Sequence, residues 1–157
     1  MKNELKQELT RRLCECNNGG LVLVMYDIYF GFSEDVKAAL ASNDRAALKK
    51  AVADVQAALD ELIGALDFKY PLAGQLYPLY SYCKRLFYTV LYSLDVSVVN
   101  EADSIMKKLR ISFETAAADD KSAPLMDNAQ KVYAGMTYGR GRLTESFIND
   151  DNRGFLA

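Results

Sequence analysis

Tyr80 and Lys84 stand four residues apart, the spacing at which short-chain dehydrogenases pair a phenol with a lysine for acid–base work. That chemistry needs a nucleotide held on a βαβ unit with a Gly-x-Gly-x-x-Gly turn. The chain contains no such unit, so the spacing is a coincidence. Cys14 and Cys16 fall roughly 200° apart around a helix axis, which does not suit a shared metal. With Cys83 they read as reduced thiols rather than a disulfide frame. Gly139-Arg140-Gly141-Arg142 could touch phosphate, but it does not repeat, and a soluble tail accounts for it better. Histidine is absent. The Ser-His-Asp triad, the Cys-His pair, histidine phosphotransfer and the Glu-x-x-His di-iron bundle all go with it. No spacing of Asp or Glu singles out a metal or acid–base site. The residues predict no enzyme, no catalytic residue, no metal and no cofactor.

One charge does stand out. Asp27 is the sole ionisable acid in the run LVLVMYDIYFGF at 21–32. A buried carboxylate needs a compensating group. Arg85 or Lys84 is the natural candidate, and the planar fork of Arg85 suits a carboxylate better, so the expected interhelix polar pair is Asp27 with Arg85. A carboxylate turned to solvent is the alternative.

The elements that must position these residues are helical. The chain has 157 residues, half of them apolar, with 19 basic and 21 acidic side chains and a formal charge of −2. That composition predicts one globular domain, and no basic field to hold nucleic acid. No stretch is apolar enough to span a membrane and the amino terminus does not read as a signal peptide, so a cytoplasmic protein is expected.

Leu5, Leu9, Leu13 and Cys16 predict a short amphipathic helix over 3–17, broken by Asn17-Asn18-Gly19-Gly20. A helix over about 20–41 would turn Leu21, Met25, Ile28, Phe32, Val36 and Leu40 to the core. The next, about 44–67, carries Leu48, Val52, Val55, Leu59, Leu62 and Leu66 at steps of 4-3-4-3-4, the seam of a left-handed bundle. After the Tyr70-Pro71 corner, a helix over about 73–94 offers Leu76, Leu79, Cys83, Leu86, Val90 and Leu94, with Pro78 tolerable only near its first turn. Val98, Ala102, Ile105, Leu109, Phe113 and Ala116 mark a last helix over about 98–118. The expected fold is all-α: residues 1–19 form a short helix and a break, 20–118 an antiparallel up-and-down four-helix bundle, and 119–157 a flexible tail.

Two of these helices have more apolar surface than a core stripe uses. Val22, Tyr26, Tyr29 and Phe30 are left over on the first long helix, and Tyr77, Tyr88 and Tyr92 on the fourth of the five. A helix apolar on more than one side keeps a face for a partner, and tyrosine is enriched at interfaces. Tyr26, Tyr29, Phe30, Tyr77, Tyr88 and Tyr92 are therefore the expected partner-binding residues. Single tyrosines can equally line a core edge with the hydroxyl in water.

Three runs resemble one family. Leu21-Val22-Leu23-Val24-Met25-Tyr26-Asp27-Ile28 is similar to the L-x-L-M-L-Y-[DN]-G run of the flagellin export chaperones, FliS, with Ile28 in place of glycine. Leu66-Asp67, followed by Leu76-Tyr77-Pro78-Leu79-Tyr80-Ser81-Tyr82-Cys83-Lys84-Arg85-Leu86, resembles their L-D...L-x-x-L-Y-x-Y-x-x-R-R-L segment. Leu109-Arg110 with Phe113 resembles their last helix. The resemblance covers about residues 20–118. It departs at the amino terminus, which lacks the tyrosine-bearing opening, and before the fourth helix, where Tyr70-Pro71-Leu72 replaces Gly-Gly. It implies a cytoplasmic chaperone that binds the disordered C-terminal segment of flagellin, prevents premature polymerisation and serves the type III flagellar export apparatus. Charge and hydropathy, as above, point to no nucleic acid and no membrane insertion, and a homodimer stays open. The residues alone equally fit a general helical adaptor or a self-associating bundle.

Overall fold

The computed structural model describes residues 3–125, and the predicted tail lies outside them from residue 126 onward. Five helices, α1 (Asn3–Glu15), α2 (Asn18–Ala41), α3 (Arg45–Gly64), α4 (Pro71–Ser93) and α5 (Val96–Ala118), and no strand occur among the described residues. The fold is an all-α bundle. Helices α2, α3, α4 and α5 pack in a ring, each against its neighbours in sequence, and α5 closes on α2. Cross-links fix the directions. Tyr29 and Ser33 of α2 meet Asp103 of α5 while Asp27 meets Arg110, so these helices are antiparallel. Arg45 reaches the Leu91 carbonyl and Gln56 that of Lys84, so α3 and α4 are too. Among the described residues, helix α1 packs on α2 alone.

Leu48, Val52, Val55, Leu59 and Leu62 of the predicted seam are buried. Leu66 is not part of it. Helix α3 is capped at Ala65, and Leu66 is half-buried in the turn that follows. Asp44 starts this helix by accepting from the Ala46 and Ala47 N–H groups at 2.9 and 3.0 Å.

The break before α2 is shorter than four residues, because Asn17 turns it into a cap. Its Oδ1 accepts from the Gly20 N–H at 2.9 Å, while Asp120 Oδ2 accepts from the Gly19 N–H at 3.0 Å. The residue that follows the C-cap of α5 therefore helps to cap α2. A Cβ at residue 19 would lie 3.0 Å from that of Ala117, so a larger residue there would press the two segments apart by a few tenths of an ångström. Helix α1 buries Leu9 and Cys14, and Leu5 and Leu13 stay exposed.

Pro78 sits inside α4 rather than in its first turn, since Pro71 is the residue that opens the helix. Pro78 withholds the N–H that would bond to the Gly74 carbonyl. Both residues are exposed, so water can take that carbonyl.

Candidate functional site: an apolar path around one end of the bundle

The physical question for each predicted partner-binding residue is whether its hydroxyl and ring have found partners inside the fold. Tyr26 and Tyr29 have. Both are 0% exposed, in the core rather than on an outer face. The Tyr26 and Tyr80 hydroxyls lie 2.7 Å apart across the diagonal between α2 and α4. Tyr29 donates to Asp103 Oδ1 at 3.0 Å, and its ring meets Phe87 edge-on at 6.0 Å between centroids. A phenol with a satisfied hydroxyl packs as a large apolar side chain, so nothing forces it outward. Burial drives the Tyr26, Tyr29 and Tyr80 phenols to higher pKa, with the Tyr80 and Asp103 contacts adding to it for Tyr26 and Tyr29 respectively. Burial also pushes the Cys83 thiol up to about 12.

The phase of α2 is thus rotated from the expected one. Val24, Tyr26, Tyr29, Val36 and Ala39 face the core, while Leu21, Met25, Ile28, Phe32 and Leu40 are only partly buried. Phe30 is half-buried beside α1 and α5. Tyr77, Tyr88 and Tyr92 of α4 are exposed.

Asp27 does not pair with Arg85. Its Oδ2 accepts from Arg12 of α1 at 2.7 Å and its Oδ1 from Arg110 of α5 at 2.7 Å. Asp27 lies on the side of α2 turned toward α1 and α5, and α4 is the diagonal helix, out of reach of an outward carboxylate. The carboxylate contact holds Arg110 above the usual guanidinium range. Arg85 is exposed and lies over the Tyr82 ring, 5.6 Å from its centroid. Tyr80 and Lys84 serve separate contacts, since Lys84 reaches Asp60 while Tyr80 bonds Tyr26.

The partly buried face of α2 now has a use. Leu21, Met25 and Ile28 form one wall of a shallow groove whose other wall is Ala58, Gly64 and Ala65 of α3 and its cap. Met25 and Ala65 also line a cleft of about 270 Å³ at the adjoining end of the bundle, together with Val22, Leu66, Leu72 and Phe113. Tyr70, also in the lining, and Phe68 stand exposed beside it, and the Phe68 ring packs edge-on against Tyr77 at 6.0 Å. Groove, cleft and rim make one mainly apolar path, with Glu61 and Asp67 as the acidic residues in its lining.

Sequence reasoning missed most of this path because it assigned Leu21, Met25, Ile28 and Leu66 to the core. A signal was present at Tyr70. It occupies the N-cap of α4 without a side-chain cap bond, where Ser, Thr, Asp or Asn would serve the helix better. An aromatic at that position gives up helix stability for exposed apolar surface.

The family described as Flagellar protein FliS matches residues 1–120. The chain belongs to the FliS family. The match includes α1, whose sequence departs from the motifs that carry the resemblance, and ends at Asp120, the residue that caps α2. A comparison with curated proteins found no match. FliS proteins are flagellar export chaperones, and the all-α bundle is the architecture of that family. Among the described residues no helix is long and apolar enough to cross a membrane.

Proposed function

We propose that this FliS-family chain is a flagellin export chaperone of the cytoplasm. It binds the disordered C-terminal segment of flagellin, keeps it from polymerising and presents it to the type III export apparatus. The observation that carries the reading is the continuous apolar path from the Leu21–Met25–Ile28 groove through the end cleft to Phe68, Tyr70, Leu72 and Tyr77. A segment that becomes helical only on binding would set apolar anchors at i, i+3, i+4 and i+7 into such a groove. It would lose ordering entropy as it did so, which keeps the complex reversible for hand-over. No chemistry is required of the chaperone, only the covering of apolar surface.

Leu72→Glu tests the placement. Leu72 is exposed in the first turn of α4, where an acidic side chain is compatible with the helix dipole, so the bundle should keep its melting temperature. Calorimetric titration with a flagellin C-terminal peptide should show binding with a negative heat-capacity change, weakened by about 10-fold or more in the variant. Unchanged affinity in a folded variant would move the client off the cleft.

A further inference from the structure

Tyr88 and Tyr92 do not belong to the apolar path. They lie eleven and fifteen residues beyond Tyr77 along α4. At 1.5 Å per residue, Tyr92 stands about 22 Å from the cleft rim, at the opposite end of the bundle. It is 86% exposed and Tyr88 54%. Their neighbours differ in kind from those of the cleft. Arg85 is one turn before Tyr88 on the same outer face of α4. Arg45, tied to the Leu91 carbonyl at 3.2 Å, brings the start of α3 alongside the last turn of α4. Lys49, one turn further along α3, comes level with Tyr88.

Among the described residues these three cations have no carboxylate partner. Arg45 is spent on a carbonyl and Arg85 on the Tyr82 ring, while the nearby acids are engaged elsewhere: Asp54 and Asp60 hold Lys50 and Lys84, Glu101 accepts from the Tyr82 hydroxyl at 2.6 Å, and Asp44 and Asp95 cap α3 and α5. Elsewhere the surface pairs its arginines. Arg11 bonds Glu8 and Glu15, and Arg12 and Arg110 share Asp27.

We propose that the α3/α4 face around Arg45, Lys49, Arg85, Tyr88 and Tyr92 is a second docking surface, which takes an acidic polypeptide segment of a protein other than the client. Arginine forks and lysine ammonium groups supply charge-assisted bonds to carboxylates, and the two tyrosines supply rigid apolar area with hydroxyls at the edge. A nucleic acid fits less well, because three cations on a chain of net charge −2 do not make a phosphate track. The face lies away from the client path, so both can be filled at once.

The test uses the full chain and a fluorescein-labelled dodecapeptide of glutamate, alanine and tyrosine, with no aliphatic anchor for the cleft. Its partners are the same peptide with lysine for each glutamate, and a dodecamer of thymidine. Fluorescence anisotropy should show binding of the glutamate peptide only, falling steeply as added salt shortens the screening length from about 10 Å toward 3 Å. The exposed double change Lys49→Glu, Arg85→Glu should weaken that binding by about 10-fold or more, with circular dichroism and the flagellin-peptide affinity unchanged. Leu72→Glu should leave the glutamate peptide unaffected. Equal binding of the lysine peptide, tighter binding of the thymidine strand, or retained affinity in the charge-reversed chain overturns the assignment. Loss of flagellin-peptide binding in that same variant would place the client, not a second partner, on this face.

Discussion

Replacing Tyr26 and Tyr80 with phenylalanine, singly and together, separates a sealed hydroxyl pair from two tyrosines with their tips in water. The oxygens are 2.7 Å apart, and the residues are 0% and 1% exposed. Removing one hydroxyl leaves the other buried with no partner, which costs about 1–3 kcal/mol. Removing both leaves two phenylalanines of the same shape in an apolar site, which is close to neutral. The single variants should therefore each lose about 1–3 kcal/mol, and the double variant less than either, a coupling of the order of 2 kcal/mol or more in the cycle. Urea unfolding followed by circular dichroism gives the four free energies, and an unchanged slope shows that all four chains unfold between similar states. Additive losses, or single variants within about 0.5 kcal/mol of the parent, would refute the reasoning, because they would mean that water reaches the diagonal of the bundle.

Three further outcomes follow from the same packing. Leu59→Ala removes a fully buried seam residue and should cost about 2–5 kcal/mol in the same assay. Asp27→Ala leaves Arg12 without its carboxylate and Arg110 with Glu114 alone, both at partly exposed positions, and should cost roughly 1–2 kcal/mol, after allowance for screening. Amide exchange should rise most in α1, and unchanged exchange there would show that Leu9 and Cys14 hold the helix unaided. The Cys83 thiol and the Tyr26, Tyr29 and Tyr80 phenols are all raised, so the fold retains protons that the unfolded chain gives up. Stability should thus be fully present below the ordinary thiol value of 9.0 and fall as the pH climbs from there toward about 12. A flat denaturation midpoint across that range would contradict the burial of these groups.

What could be read in the sequence was period, and what could not was phase. The 4-3-4-3-4 spacing of α3 identified its buried face because the other side is charged, leaving one way to turn the helix. In α2 both sides are apolar, so spacing alone cannot choose between them. The choice fell to Tyr26 and Tyr29, whose hydroxyls find partners 54 and 74 residues away in sequence. Asp27 illustrates the same gap. That it needed a cation was legible, but which one depended on the ring order that makes α4 the diagonal neighbour. Spacing places the start of α2 too late, because Asn17 caps the Gly20 N–H locally and Asp120, 101 residues away from Gly19, caps the Gly19 N–H. The candidate site was half legible for a related reason. Exposed tyrosines of α4 could be counted, whereas the cleft is assembled from α2, α3, α4 and α5 together.

The flagellin tail is proposed to lie on the apolar path at one end of the bundle. Hydrogen–deuterium exchange of the chaperone with and without a flagellin C-terminal segment tests it most directly. New protection is expected over 64–74, in the α3–α4 corner and the first turn of α4, with smaller changes on the groove side of α2 at 21–28. The distal turn around Tyr88 and Tyr92 should stay as it is in the free protein. Protection concentrated on that distal turn, with the corner unchanged, would place the flagellin tail elsewhere on the bundle.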